Sequence, residues 1–375
     1  MVNVENFYKC LKSCGVTMFT GVPDSLLKDF CAYITDHSDR RHNIIAANEG
    51  AAVGIAVGHH IATSEIPVVY MQNSGIGNAI NPLLSLADEK VYSIPLILVI
   101  GWRGEPGIHD EPQHVKQGEV TLRLLDAMEI PYIILDSDEQ TALQKTESII
   151  ADCKLKNKPH AIIVRKGIFE KYNLKASVKN DFPITREQAL KTLIDSLPND
   201  DLTVSTTGKL SRELFEYREA LHQGHNKDFL TVGSMGHSSS IALGIALSHP
   251  ERRIWILDGD GAFIMHMGST TTIAKATPDN IVHVVFNNGA HESVGGQPTV
   301  GFDINIQEIA KGVGYKFATS VDNITDIKQV LQAIDAIEKP ALIELKVGIN
   351  SRKDLGRPTT SPIENKIAYM RELQK

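Results

Sequence analysis

Two short polar stretches in the second half of the chain carry groups that could hold a metal ion against a phosphate. Residues 259–261 (Gly-Asp-Gly) follow one apolar run, and residues 287–288 (Asn-Asn) follow the next. Glycines let the backbone approach an anion, and a helix N-terminus offers N–H donors to phosphate. A carboxylate and an amide oxygen suit Mg²⁺, which also takes phosphate oxygens. We therefore expect Asp260 and Asn288 to share one Mg²⁺ site, with Asn287 supporting the turn.

Both stretches end predicted strands of an α/β pattern that runs through the chain. Short apolar runs alternate with segments of helical length, and runs that are apolar on both faces are typical of buried parallel strands. The runs cover residues 17–20, 43–47, 67–71, 95–101, 132–136, 161–165, 201–205, 228–232, 253–257, 281–286, 316–320 and 341–345. This pattern predicts two doubly wound parallel-sheet domains, residues 1–168 and 187–375, joined by a polar linker (169–186) with no middle domain. The second domain ends in a basic loop and a helix.

The bulk composition limits the class of protein. The chain has 375 residues and a net charge of -7, so a general nucleic-acid-binding face is not expected. A small anionic ligand remains compatible, because its site needs only local positive charge. The four cysteines form no Cys-x-x-Cys pair, the N-terminus has no apolar signal core, and no apolar run reaches the length of a membrane span. These features predict reduced thiols and a cytoplasmic protein without membrane partners.

The order Gly-Asp-Gly, twenty-five residues (262–286), then Asn-Asn resembles the signature of thiamine-diphosphate-dependent enzymes. The resemblance implies thiamine diphosphate and Mg²⁺ as cofactors, with Asp260, Asn288 and the backbone carbonyl of Ala290 as metal ligands. It also implies diphosphate contacts at an earlier strand end and a bulky apolar residue, Met235, beneath the cofactor. The cofactor-binding residues that it implies are Thr207, Gly208, Gly233, Met235, Gly259, Asp260, Gly261, Ala262 and Asn288.

The same family requires a glutamate in its other type of domain, where it hydrogen-bonds the aminopyrimidine ring and helps to activate the cofactor. Glu49 matches this requirement, because it follows a predicted strand and begins a helix of small residues. Its flanks are almost wholly apolar, so desolvation should raise its pKa, which suits proton sharing near neutral pH. The alternative is an ordinary acidic residue favoured by the dipole at a helix N-terminus.

Three stretches narrow the resemblance to short 2-oxoacid decarboxylases, the group that acts on phosphonopyruvate and sulfopyruvate. They are residues 21–27, 101–118 and 287–299. The resemblance implies a carboxy-lyase of phosphonate biosynthesis whose cations hold the phosphonate, a role that suits Arg and Lys. Asp24 and His114 join Glu49 as candidate catalytic residues, although Asp24 could instead cap a helix. The candidate phosphonate ligands, each of which could also be a solvated surface charge, are Arg103, His109, Lys116, Arg352 and Arg357.

Members of the family place their active sites between the first domain of one subunit and the second domain of its neighbour. The resemblance therefore implies at least a homodimer. Two alternatives stay open: another substrate, such as sulfopyruvate, and a non-catalytic thiamine-diphosphate-binding protein. A nucleotide-binding enzyme is disfavoured, because residues 75–80 (GIGNAI) lack the third glycine of the dinucleotide fingerprint. Residues 207–211 (TGKLS) likewise lack the upstream glycine of a phosphate loop.

Overall fold

A computed structural model of the chain describes residues 1–176 and 180–375. These residues form two compact units, one comprising residues 1–176 with 291–297 and the other residues 180–290 with 298–375. The predicted linker includes the three residues that lie outside the described ones. The short segment His291–Gln297 belongs to the first unit, a position that sequence reasoning did not anticipate.

The first unit is a six-stranded sheet flanked by helices. Its strands are β1 (Val16–Gly21), β2 (Asn43–Ile45), β3 (Ile66–Gln72), β4 (Ile97–Gly101), β5 (Tyr132–Ile134) and β6 (His160–Val164). Its helices are α1 (Val4–Ser13), α2 (Lys28–His37), α3 (Glu49–Thr63), α4 (Ile76–Pro82), α5 (Pro112–Ala127) and α6 (Glu139–Lys156). The strands are all parallel, in the order β2-β1-β3-β4-β6-β5. Helices on both faces bury the central strands, which explains their continuous apolar runs.

The second unit repeats this architecture. Its strands are β7 (Leu202–Ser205), β8 (Asp228–Leu230), β9 (Ile254–Gly259), β10 (Ile281–Asn287), β11 (Phe317–Val321) and β12 (Ala341–Lys346). Its helices are α7 (Arg186–Ser196), α8 (Lys209–Ala220), α9 (Ser238–Ser248), α10 (Asp260–Met265), α11 (Ser269–Ala276), α12 (Ile306–Val313), α13 (Ile324–Gln332) and α14 (Pro362–Leu373). The parallel order is β11-β12-β10-β9-β7-β8. The prediction of two doubly wound parallel sheets is confirmed.

The two sheets have the same strand order once each unit's strands are numbered from its own start. Read from the edge nearest the second strand, the order is 2-1-3-4-6-5 in both. The order reverses direction between the first and third strands, which are β1 and β3 in one unit and β7 and β9 in the other. Ligands of open α/β sheets bind beyond the carboxyl ends of the strands at such a reversal.

Each unit pairs the segment before its first helix with the segment that follows its last strand along the chain. In the first unit Val2 forms a parallel bridge with Phe169, and in the second Thr185 forms one with Gly348. The Tyr172 hydroxyl donates to Asp36 of α2 at 2.9 Å, which also bonds the segment after Phe169 to the first unit. The described ends of the predicted linker are therefore built into the two units, because their polar groups are bonded there.

The C-terminal helix α14 confirms the helix predicted for the tail. Ser361 caps it in a capping box with Glu364, and Pro362 occupies its first turn. Asn365 is buried and bonds to the backbone of β8, donating to Asp228 and accepting from Leu230. Among the described residues, no helix combines the length and the apolar character needed to cross a membrane.

Candidate active site

The two polar stretches of the second unit lie side by side, as predicted. Strands β9 and β10 are neighbours, with Phe286 opposite Gly259. Asp260 therefore starts α10 at the carboxyl edge of the sheet, and Asn288 follows the end of the adjacent strand. Both side chains are buried.

Asp260 is a buried carboxylate whose bonded neighbours are neutral. It is 3% exposed and accepts a hydrogen bond from the hydroxyl of Thr299. Burial raises its pKa to about 6, against the opposing effect of that hydroxyl and of backbone N–H groups, including that of Asn288. Within residues 1–176 and 180–375, no Lys, Arg or His forms an ion pair with it. A buried carboxylate is costly without a positive partner, so a cation suits this position.

The two asparagines have different roles. The Asn287 amide donates to the Gly301 carbonyl and to Glu344, each at 2.7 Å, and its oxygen accepts from Gly289. Asn287 therefore supports the turn, as predicted. The Asn288 amide oxygen accepts from the Ala290 N–H at 3.0 Å, which keeps the two predicted metal ligands in one turn.

The donor set fits Mg²⁺. A carboxylate, an amide oxygen and a backbone carbonyl are hard oxygen ligands, and Mg²⁺ completes its shell with phosphate and water oxygens. The Asn180 side chain also stabilises this turn, because it donates to the Asn288 carbonyl and to the Val347 carbonyl, each at 2.8 Å. Asn180 and Thr299 support the site through contacts that no local sequence pattern encodes.

The other predicted cofactor residues of this unit gather around the same edge. The Thr207 hydroxyl donates to the Val232 carbonyl at 2.8 Å, which joins the turn after β7 to the loop that carries Gly233 and Met235. That loop packs onto α10, because a Cβ at Gly236 would lie 2.9 Å from the carbonyl oxygen of Ala262. The loops after three strands thus bring together the predicted diphosphate contact, the Gly-Asp-Gly stretch and Met235, the apolar residue predicted to lie beneath the cofactor.

Glu49 is a buried acid of the first unit. It is 5% exposed and begins α3, whose N-cap residue Asn48 accepts from the Ala51 N–H. The side chain of Asn78 donates to its carboxylate at 2.8 Å. A Cβ at Gly75 would lie 2.5 Å from the other carboxylate oxygen, so a side chain there would displace the Glu49 carboxylate. The stretch Gly75–Asn78, which fails as a nucleotide fingerprint, thus fixes the position of Glu49.

Asp24 lies in the turn after β1 and is 1% exposed. Burial raises its pKa to about 6, although the Leu26 N–H, at 2.8 Å, and Arg103 oppose that shift. A Cβ at Gly101 would lie 2.2 Å from its carboxylate, so a side chain at the end of β4 would displace the Asp24 carboxylate. The alternative reading of Asp24 as a helix cap is wrong, because α2 begins at Lys28 and its N-cap position is Leu27.

A bidentate ion pair with Asp110 holds Arg103 next to Asp24. Its Nε donates to Asp110 Oδ2 at 2.7 Å, its Nη2 donates to Oδ1, and its Nη1 donates to the Ser25 hydroxyl at 2.8 Å. Burial opposes ionisation of Asp110, but bonds from Arg103 and from backbone N–H groups hold its pKa well below the usual range. Asn73, at the end of β3, bonds to the Arg103 backbone in both directions. The guanidinium is therefore oriented from several sides.

The remaining predicted substrate residues have different surroundings. His114 is buried in the first turn of α5, and its backbone packs against Gly104. His109 is exposed in the preceding loop, and Lys116 is paired with Glu119 with its side chain 78% exposed. In the second unit, Arg352 is bound by Glu187 and Glu216, and Arg357 is exposed. Of the five predicted phosphonate ligands, Arg103 alone is partly buried beside a predicted catalytic residue.

Models of the two thiamine-diphosphate-binding domains match the chain. The N-terminal domain of thiamine pyrophosphate enzymes matches residues 1–130, and the C-terminal domain matches residues 206–345. The chain belongs to this family, and its cofactors are thiamine diphosphate and Mg²⁺. The family and cofactor predictions are confirmed.

Similarity to curated relatives extends over nearly the whole chain. It is 31% identical to the phosphonopyruvate decarboxylase of Streptomyces viridochromogenes, over 97% of this chain and 93% of that protein. It is also 31% identical to the phosphonopyruvate decarboxylase of Streptomyces hygroscopicus, over 97% and 92% of the two chains. The sulfopyruvate decarboxylase of Methanosarcina acetivorans is 26% identical, over 91% and 90%.

Proposed function

We propose that this chain is a carboxy-lyase that converts 3-phosphonopyruvate to phosphonoacetaldehyde and CO₂ with thiamine diphosphate and Mg²⁺. The observation that carries the proposal is an oriented arginine, Arg103, next to a buried acid, Asp24, in a chain that also has the predicted cofactor-binding residues. The names of the two Streptomyces relatives support the same substrate.

The second unit would hold the cofactor's charged end. Asp260, Asn288 and the Ala290 carbonyl would bind Mg²⁺, and the turn at Thr207 and Gly208 would contact the diphosphate. Mg²⁺ would supply the positive charge that the buried Asp260 carboxylate lacks, so metal binding would favour loss of the proton from this group. Met235, on the loop that packs against α10, would support the ring system from below.

The first unit would supply the acid that activates the cofactor. Glu49 would hydrogen-bond the aminopyrimidine ring through the carboxylate that Asn78 and Gly75 fix in place. When bound, thiamine diphosphate supplies a nucleophilic carbon and accepts the electrons that CO₂ leaves behind. Glu49 is the one residue of this set that a passive cofactor-binding protein would not need.

Arg103 and Asp24 would act on the substrate. Arg103 carries a permanent charge in a planar fork, which suits phosphonate oxygens, and Asp110 fixes its direction. Asp24, with a pKa of about 6, would hold a proton on its carboxyl group in part of the molecules near neutral pH and deliver it to the product carbon. His114, buried at the start of α5, would be the second proton-transfer candidate.

The assembly and the compartment belong to the same proposal. We expect at least a homodimer, because family members build each active site from two subunits, and light scattering on a sizing column measures the mass directly. A monomer with full activity would contradict this part. All four cysteines are free thiols, which agrees with a cytoplasmic enzyme.

The deciding experiment is a substrate comparison. Purified protein with thiamine diphosphate and Mg²⁺ is assayed for CO₂ release from phosphonopyruvate, sulfopyruvate and pyruvate. We expect the highest kcat/KM with phosphonopyruvate. A preference for sulfopyruvate would transfer the assignment to that substrate while leaving the cofactor site intact. Absence of decarboxylation with all three, despite cofactor binding, would overturn the proposed activity.

A further inference from the structure

The hydroxyl of Thr207, the predicted diphosphate contact, already donates its one hydrogen to another group of the protein. Its hydroxyl hydrogen is used in the 2.8 Å bond to the Val232 carbonyl. A hydroxyl group has one hydrogen, so Thr207 cannot also donate to a ligand anion while that bond is kept. Other donors near the strand-to-helix turn Thr206–Gly208 must therefore meet a phosphate at this place.

The hydroxyl of Thr206 is one such donor. Thr206 is 5% exposed, and its hydroxyl has no hydrogen-bond partner in the part of the chain that the structure describes. A buried hydroxyl without a partner costs free energy, so such groups usually mark a position where a ligand or water binds. Gly208 adds room, because its φ is 97° and a Cβ there would meet no atom within 4 Å.

Lys209 supplies the charge. It is the first residue of the 12-residue helix α8, whose N-cap, Gly208, has no side chain to cap the first-turn N–H groups. The Lys209 ammonium donates to the Ser351 hydroxyl in the C-terminal tail. A phosphate oxygen carries a negative charge that the Ser351 hydroxyl lacks, and this charge attracts the ammonium, so a phosphate would compete well for it.

The tail is anchored so that Ser351 stays near Lys209. The next residue, Arg352, is bound by Glu187 at 2.9 Å and by Glu216 of α8, and the Gly356 N–H also donates to Glu216. These carboxylates neutralise the arginine that the sequence favoured as a phosphonate ligand.

The turn also lies at the reversal of strand order in this sheet. Ser205 of β7 is paired with Leu257 of β9, and the Thr206 N–H donates to the Leu257 carbonyl at 2.7 Å. Leu257 precedes Asp260 by three residues, so the turn and the metal ligand start from neighbouring strands. This reversal is where an open α/β sheet binds its ligand.

We propose that Lys209, together with the Thr206 hydroxyl and the first turn of α8, binds a phosphorus oxyanion, and that Ser351 holds the lysine ready for it. The inference rests on the proposed function, which supplies two such groups: the diphosphate of the cofactor and the phosphonate of the substrate. The inference gives a role to Gly208 and Lys209, although residues 207–211 do not match the phosphate-loop motif.

The test compares Lys209→Met, Lys209→Arg and Thr206→Val with the wild type. Lys328→Met, which removes an exposed lysine from the same unit, is the matched control. Binding of thiamine diphosphate with Mg²⁺ is measured by calorimetry, and KM for phosphonopyruvate is measured at saturating cofactor. Losing one charge-assisted bond corresponds to roughly 10- to 100-fold weaker binding. The arginine variant should recover most of this loss, and Thr206→Val should lose several-fold.

The two readouts separate the sources of the anion. A weaker cofactor Kd with unchanged KM assigns Lys209 to the diphosphate, and an unchanged Kd with a higher KM assigns it to the phosphonate. Variants that keep the wild-type Kd and KM, or a Lys328→Met control that loses as much, would overturn the inference. Circular dichroism of each variant separates a binding loss from unfolding. If the wild type binds the cofactor but decarboxylates nothing, the proposed function fails while the Kd comparison still decides the role of Lys209.

Discussion

Replacing Asp24 with asparagine should make the free energy of unfolding less dependent on pH. Burial raises the pKa of Asp24 from 3.8 to about 6. A carboxyl group with a raised pKa holds its proton more tightly in the folded state. Its favourable contribution is therefore present below pH ~4 and is lost as the pH rises through ~6. Asparagine has nearly the same shape and cannot ionise, so the variant escapes this loss.

The size of the effect follows from the two pKa values. A difference of about 2 between them corresponds to about 3 kcal/mol at pH values above both. At pH 5 the unfolded carboxyl group is already ionised and the folded one is not, so roughly half of the loss has occurred. Between pH 5 and pH 8 the remaining loss is about 1.4 kcal/mol.

Urea unfolding of the cofactor-free protein at pH 5 and pH 8 measures this difference. The free energy of unfolding of Asp24→Asn, relative to wild type, should be about 1.4 kcal/mol larger at pH 8 than at pH 5, because only the wild type loses stability over this range. Any loss of the bond to the Leu26 N–H affects both pH values alike and cancels in the comparison. Glu338→Gln, at an exposed carboxyl group, serves as the control. If the relative stability of Asp24→Asn is the same at both pH values, burial does not perturb this group as we infer.

Three further substitutions test the first unit. Glu49→Gln should change the cofactor Kd only a few-fold and lower turnover roughly 10²–10⁴-fold, and unchanged turnover would remove Glu49 from the mechanism. Gly75→Ala places a methyl carbon 2.5 Å from a Glu49 oxygen, so the carboxylate must move. Turnover should then fall at least ~10-fold with the cofactor still bound, whereas full activity would show that this position is not critical. Asp110→Asn weakens the ion pair that orients Arg103 and should raise KM for phosphonopyruvate about tenfold, with less effect on pyruvate. Equal effects on both substrates would show that Arg103 does not bind the phosphonate.

The strands, and the meeting of Asp260 with Asn288 at one edge of the sheet, could be predicted from the sequence because their signals are local. Buried parallel strands leave continuous apolar runs, and residues that follow two such runs meet wherever the strands are neighbours. Asp260 and Asn288 needed only the pairing of β9 with β10 to come together. The supporting role of Asn287 was predictable for the same reason, since it lies at the last position of a buried strand.

The contacts that orient the reactive groups could not be predicted, because they join loops that are distant in sequence. Thr299 bonds to Asp260 across 39 residues, and Asn78 bonds to Glu49 across 29. The lack of a side chain at Gly75 is required only because Glu49 happens to pack there. In the basic tail, by contrast, the sequence suggested an anion ligand whose charge other side chains turn out to neutralise. Charge alone favoured Arg352 as an anion ligand, but carboxylates of α7 and α8 neutralise it.

The bridges that pair the segment before each unit's first helix with the segment after its last strand along the chain, Val2 with Phe169 and Thr185 with Gly348, have a consequence for how such chains can evolve. A unit whose entry and exit lie together can be separated, or joined in another order, without breaking a strand of its sheet. Selection can thus keep the two units as one gene, divide them between two genes, or place a further domain between them. In this chain a single gene guarantees that both units are made in equal amounts.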